Sequence, residues 1–153
     1  MLKILLLEDE KDVASATINA FSDYKFVYVD NLIDFHDYII HEKDCFFAFL
    51  LDLQLDLGSS LPISSYIEEI PDMNFEKPIM LETIPLYGWN YFEYIMRDPQ
   101  FESIRDKVIL ITGHYDWLKD NKYLEKYINT KIVKKRGAGA FAELKNIFNR
   151  LSI

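Results

Sequence analysis

The chain has 153 residues, of which half are apolar and 27% charged, the composition of an ordinary globular protein and a length that suits one domain, 1–153, with a sizeable core. A net charge of −8 repels phosphate backbones and anionic lipids, so direct nucleic-acid and membrane binding are not expected. The apolar start of MLKILLLEDE is too short for a secretory signal and runs straight into acids, and no stretch approaches the roughly 20 apolar residues of a membrane span, so a cytoplasmic location is expected.

In chain order, short apolar runs occupy Lys3 to Leu7, Phe26 to Val29, Phe46 to Leu51 and Val108 to Thr112, with a weaker one at Ile132 to Val133. Continuous rather than alternating apolar character suits strands covered on both faces of a parallel sheet. Helical patterns fall between them. Val13, Ala16, Thr17, Ala20 and Phe21 mark one helix face; Asp30 or Asn31 can cap a second helix carrying Leu32, Phe35 and Ile39. Tyr91, Tyr94 and Ile95 mark a third, Leu118 to Ile128 a fourth, and Phe141, Leu144, Phe148 and Leu151 a stripe on the last. Strands alternating with helices imply right-handed βαβ crossovers. The expected fold is α/β, a flavodoxin-like, doubly wound, five-stranded parallel sheet in a three-layer sandwich.

The segment 57–88 breaks the rhythm and holds four of the five prolines (Pro62, Pro71, Pro78, Pro85), yet it is apolar. A linker would be more polar. It is read as an ordered insertion between the third strand and third helix of the repeating pattern, with a short helix near Ser64 to Ile70. Cys45, the single cysteine, sits inside the apolar run CFFAFLL and is expected to be a buried, inert thiol. His36 and His41 are expected on a helix, solvent-facing or partly buried, and His114 beside the residues considered next.

Open parallel sheets bind ligands beyond the carboxyl ends of their strands. The first strand ends in Glu8, Asp9 and Glu10, the third in Asp52, the fourth in Thr112 and Gly113, the fifth in Lys134 and Lys135. Carboxylates brought together need compensation, and a hard cation such as Mg²⁺ answers it with oxygen ligands. A lysine and a hydroxyl on neighbouring strands complete a set that suits a phosphoryl group, with Asp52 as the nucleophile.

These pieces, KILLLEDEKD, FAFLLDLQLD, VILITG and KIVKK, resemble the response-regulator receiver domain of two-component signalling, over the whole chain except the insertion. Asp9 lies 43 residues before Asp52 and Thr112 lies 22 before Lys134, both near the family's usual spacing; the 60 residues from Asp52 to Thr112 are about twice the usual number, which the insertion explains. The resemblance implies that Asp52 is the phospho-acceptor, that Glu8, Asp9, Asp52 and the backbone carbonyl of Gln54 hold Mg²⁺, and that Thr112 and Lys134 meet the phosphoryl oxygens. Gly113 corresponds to the small residue that leaves the acyl phosphate reachable. Lys135, which stands where the family has a proline, is an alternative site lysine. The aromatic usual three residues before the lysine is replaced by Lys131.

The implied function is that of a stand-alone receiver domain and not a turnover enzyme, capable at most of self-phosphorylation and autodephosphorylation. Its partners would be a sensor histidine kinase or phosphotransfer protein, or a small phospho-donor, and a downstream protein. Two alternatives are a binding module that no longer depends on phosphorylation and a Mg²⁺-dependent phosphohydrolase; the latter wants a second Asp where Gln54 stands.

Overall fold

In the computed structural model, residues 1–55, 63–71, 73, 78, 80–122, 125, 127, 129–137 and 139–152 are described. Of the segments read above, residues 57–62, 72, 74–77 and 79 of the insertion and 123, 124, 126 and 128 of the fourth helical pattern lie outside them. Strands β1 (Lys3–Leu7), β2 (Lys25–Val29), β3 (Ala48–Asp52), β6 (Val108–Thr112) and β7 (Lys131–Lys134) form one sheet in the order β2-β1-β3-β6-β7. All four of its neighbouring pairs are parallel, giving the flavodoxin-like α/β fold.

The central strands are apolar throughout because both faces are covered. β3 and β6 are buried along their whole lengths, whereas the edge strands β2 and β7 each carry an exposed end residue, Lys25 and Lys134. Successive side chains alternate between two cores. Ile4, Leu6, Leu50, Ile109 and Val133 pack with Ala14 of α1 (Lys11–Ala20) and with Leu144, Ile147 and Phe148 of α6 (Ala140–Leu151). Leu5, Leu7, Phe49, Leu51 and Leu110 face the other way. There they meet α2 (Leu32–Glu42), α3 (Ile63–Glu69), α4 (Tyr87–Arg97) and α5 (Tyr115–Asp120).

Several details depart from the sequence expectation. On α1 the buried residues are Ala14 and Thr17, while Ala16 and Ala20 are exposed; Thr17 is accommodated by donating its hydroxyl to the Val13 carbonyl at 2.9 Å. On α6 Phe141 is exposed and Ile147 takes its place in the core. The described helix after β6 is only Tyr115–Asp120; Asn121 and Lys122 form a turn, with Lys122 at φ +62°. Cys45 is exposed because it closes a 3₁₀ turn (Lys43–Cys45), and burial begins one residue later, at Phe46. His36 is buried, its Nδ1 2.8 Å from the Tyr91 hydroxyl.

Between β3 and α4 the chain forms α3 and a hairpin of β4 (Met80–Leu81) and β5 (Ile84–Pro85). Tyr66, Ile70 and Met73 bury themselves in the same core as α2 and α4. Tyr87 and Gly88, read as part of the irregular segment, open α4 instead. Among the described residues no helix is long and apolar enough to cross a membrane.

Candidate functional site

The strand order places β1 and β3 side by side where the chain reverses direction across the sheet, which opens a crevice at their carboxyl ends. Glu8 and Asp9 follow β1 and Asp52 ends β3. One carboxylate oxygen from each of Glu8, Asp9 and Asp52 lies within 4.8 Å of the others. Glu8 and Asp52 are each 1% exposed.

Two strands away, Lys135 leaves the end of β7, its backbone N–H donating to the Thr112 carbonyl at 2.9 Å. Its ammonium reaches Glu8 Oε1 at 2.8 Å, Asp52 Oδ2 at 3.2 Å and Glu10 Oε2 at 3.2 Å. Three donor protons thus meet three carboxylates. The lysine at Asp52 is therefore Lys135 and not the expected Lys134. Alternation along β7 decides this: Ile132 faces the α5 core and Val133 the α6 core, so Lys134 falls on the α5 side. There its Nζ sits 4.0 Å from Asp116 and over the Tyr115 ring. The position three before the lysine becomes Ile132, buried and aliphatic, and Arg136 follows the lysine.

Backbone and hydroxyl groups hold the acids in place. Glu8 Oε1 also accepts from the Glu10 N–H at 3.1 Å, and Asp52 Oδ1 from the Gln54 N–H at 3.3 Å. The Tyr28 hydroxyl donates to the Glu8 carbonyl at 2.8 Å. Gly88 presses on the chain beside Asp52, its N–H donating to the Leu53 carbonyl at 2.9 Å. Thr112 is buried, and its Oγ1 accepts from the His114 N–H at 2.9 Å. His114 Nε2 donates in turn to Gln54 Oε1 at 2.6 Å, bridging the loops after β3 and β6. A Cβ at Gly113 would meet open space. A pocket of about 480 Å³ leads to Asp52, lined among others by Thr112, His114, Trp117, Lys135 and Arg136.

The electrostatics favour a cation. Burial, reinforced by the Glu8 charge, pushes the Asp52 carboxyl up to about 8 against the pull of Lys135. Burial also raises Glu8, again opposed by Lys135. Burial alone would lower Lys135, but the Asp52 and Glu8 carboxylates outweigh it and raise it, so the ammonium stays charged. Burial, then Lys135, lowers His114. One ammonium does not offset the crowding of Glu8, Asp9 and Asp52, so without a further cation Asp52 keeps its proton up to about pH 8. Glu8 Oε2, moreover, is buried with no hydrogen-bond partner among the described residues. An all-oxygen donor set with an orphaned carboxylate oxygen fits a hard divalent ion such as Mg²⁺.

Sequence reasoning brought Glu8, Asp9, Asp52, Gln54 and Thr112 to this end of the sheet, and it left Lys135 open as the alternative to Lys134. It missed the contributions of Tyr28 and Arg136, and named Glu10 only as an acid at the end of the first strand. For Tyr28 no local signal exists, because it comes from a different strand; Glu10 and Arg136 adjoin the motif residues and differ from them only in where the side chain turns.

No protein-family model and no curated protein matches the sequence. Solved structures do. A bacteriophytochrome response regulator superposes with a TM-score of 0.63 at 16% identity, over 100% of this chain and 94% of that one. The signal receiver domain of a putative LuxO repressor protein from Vibrio parahaemolyticus gives 0.60 at 17% identity, over 99% and 92%. The N-terminal signal receiver domain of a two-component response regulator from Bacteroides fragilis gives 0.59 at 15% identity, over 100% and 98%. The chain shares the fold of response-regulator receiver domains.

Proposed function

We propose that this chain is a Mg²⁺-dependent phosphoryl acceptor that signals through protein–protein contacts, with Asp52 as the acceptor. The observation that carries the reading is the Asp52 carboxylate itself: buried at the switch point, 3.2 Å from the Lys135 ammonium and gathered with Glu8 and Asp9 into one oxygen cluster. A structural carboxylate would be satisfied by its lysine alone and would not need two further acids beside it.

Glu8, Asp9, Asp52 and the backbone carbonyl of Gln54 would hold the ion, whose charge offsets that of the carboxylates and of the incoming phosphoryl oxygens. An Asp52 oxygen attacks the phosphorus of a phosphohistidine or an acyl phosphate. A new P–O bond forms, the bond to the donor nitrogen or oxygen breaks, and the leaving group takes the electron pair. Lys135, in the role the sequence assigned to Lys134, turns the proton it gives to Asp52 Oδ2 toward a phosphoryl oxygen. Thr112 offers its hydroxyl to another once its loop turns, and Gly113 leaves the approach open.

The added charge of roughly −1.5 to −2 biases the loops after β3 and β6, which His114 and Gln54 already join. The donor would be a sensor histidine kinase, a phosphotransfer protein or a small phospho-donor in the cytoplasm, and the output a contact with another protein; the chain turns over no substrate of its own. The test is incubation with Mg²⁺ and acetyl phosphate followed by intact mass measurement. Wild type gains one labile phosphoryl group and Asp52→Asn gains none. An unmodified wild-type protein at saturating donor would instead support a binding module independent of phosphorylation.

A further inference from the structure

Lys135 opens the stretch between β7 and α6, its own N–H bonded to the Thr112 carbonyl. The stretch runs KKRGAGA from the end of β7 to the start of α6, and both its glycines have left-handed backbone, Gly137 at φ +106° and Gly139 at φ +86°. A Cβ on either would meet nothing within 4 Å. Glycine backbone is rich in accessible conformations. A lysine with four rotatable side-chain bonds, mounted at the start of this stretch, needs an anchor if its ammonium is to stay on Asp52.

Glu10 supplies one from the other side of the site. Its Oε2 accepts from Lys135 Nζ at 3.2 Å and from Arg136 Nη2 at 2.7 Å. The carboxylate thus grips two consecutive residues of the β7–α6 loop while its own backbone N–H is fixed on Glu8 Oε1. We propose that Glu10 is a positioning residue for the acceptor site: clamped by Arg136, it ties the Lys135 ammonium into place beside Asp52 and couples the acidic loop after β1 to the loop after β7. Arg136 stands one residue after the site lysine, where the resembled family has a proline to restrict the chain; here an ion pair performs the restriction. The effect on phosphoryl acceptance rests on the function proposed above, whereas the ordering of the loop does not.

The strap makes a prediction that charge alone reverses. Glu10 and Arg136 carry opposite charges, so as through-space charges they would move the reaction with an anionic donor in opposite directions: Glu10→Gln faster, Arg136→Ala slower. As two ends of one strap they move it the same way. The experiment compares Glu10→Gln, Arg136→Ala, their double variant, Arg136→Lys and the remote control Lys145→Ala in the full chain. The first readout is the rate of phosphoryl adduct formation from acetyl phosphate with Mg²⁺. The second is amide hydrogen exchange of Lys135, whose N–H is bonded to the Thr112 carbonyl, without donor.

Each single variant should slow the adduct by about fivefold, the upper range for a partly exposed ion pair. The double variant should be no slower than the worse single, and Arg136→Lys should recover at least half the loss. Exchange at Lys135 should quicken by a similar factor in both singles and stay unchanged in Lys145→Ala. Opposite or additive effects of the two singles, or unchanged exchange, overturn the proposal. If wild type accepts no phosphoryl group, the proposed function fails while the exchange readout still decides the strap.

Discussion

Gly88 and Leu53 lie so close that a Cβ on Gly88 would come within 2.6 Å of the Leu53 Cα. The glycine opens α4 and donates its N–H to the Leu53 carbonyl at 2.9 Å, directly after Asp52. Gly88→Ala would gain about 1 kcal/mol of helix propensity, but the atoms it meets are backbone of β3's end and cannot rotate away. Overpacking of this kind costs about 1–3 kcal/mol. The expected outcome is a net loss of up to about 2 kcal/mol in chemical denaturation, with slower phosphoryl acceptance because Asp52 moves with its backbone. Unchanged stability would mean that α4 is free to shift.

Asp52 makes the metal-free fold pH-sensitive, and the sign follows from its direction. Its carboxyl is raised from 3.8 to about 8, so the native state holds a proton that the unfolded chain has released. The stabilisation is full below pH 3.8 and is lost as pH rises through about 8. At neutral pH in EDTA, Asp52→Asn should therefore be more stable than wild type. Mg²⁺ at a hundredfold excess over its dissociation constant should add about 2.7 kcal/mol to wild type and far less to the variant. Thermal melts with and without Mg²⁺ check both. Equal Mg²⁺ responses would remove Asp52 from the ion's ligands.

The acids, Asp52 and Thr112 were legible in the sequence because each ends an apolar run, and strand ends in a parallel sheet converge whatever the loops do. Lys134 and Lys135 were not separable that way. Adjacent residues at a strand end point to opposite sides, so choosing between them needs the register of β7 on β6, which pairs Lys134 with Thr112. Ala16 and Phe141 were misplaced for a related reason: helical periodicity marks a stripe, but the sheet selects which edge of that stripe it buries. The start of α4 was hidden because Pro85 and Gly88 read as loop residues; Gly88 is required there by backbone approach, a tertiary fact.

His36 offers a second pH effect of opposite sign. Burial lowers it from its ordinary 6.5, against the raising influence of Asp37. The folded state then binds fewer protons than the unfolded one, so above pH 6.5 His36 has no effect, and as pH falls from 6.5 toward its lowered value stability is lost. Because Asp52 and Glu8 act in the other direction, the measurement is the difference between wild type and His36→Leu. That difference should turn against wild type between pH 7.5 and 5.5. Tyr91→Phe, which strips the hydroxyl 2.8 Å from Nδ1, should cost about 1–2 kcal/mol at pH 7.5 by leaving a buried ring nitrogen unsatisfied.

Tyr28 tests whether the Glu8–Asp9 loop is held from the neighbouring strand. Its ring packs against the α1–α6 core while its hydroxyl reaches the Glu8 carbonyl at 2.8 Å. The Glu8 N–H donates to Val29, so the same strand grips Glu8 at both its amide and its carbonyl. Tyr28→Phe keeps the ring and deletes one hydrogen bond, worth about 1 kcal/mol. If that bond orients Glu8, whose Oε2 is the orphaned oxygen of the cluster, the loss appears in ion binding: calorimetric titration should show Mg²⁺ affinity reduced about fivefold, the equivalent of roughly 1 kcal/mol. A general weakening of the sheet edge would lower denaturation stability and leave that affinity where it was. Because the same bond cannot be spent twice, stability and affinity discriminate between the two roles.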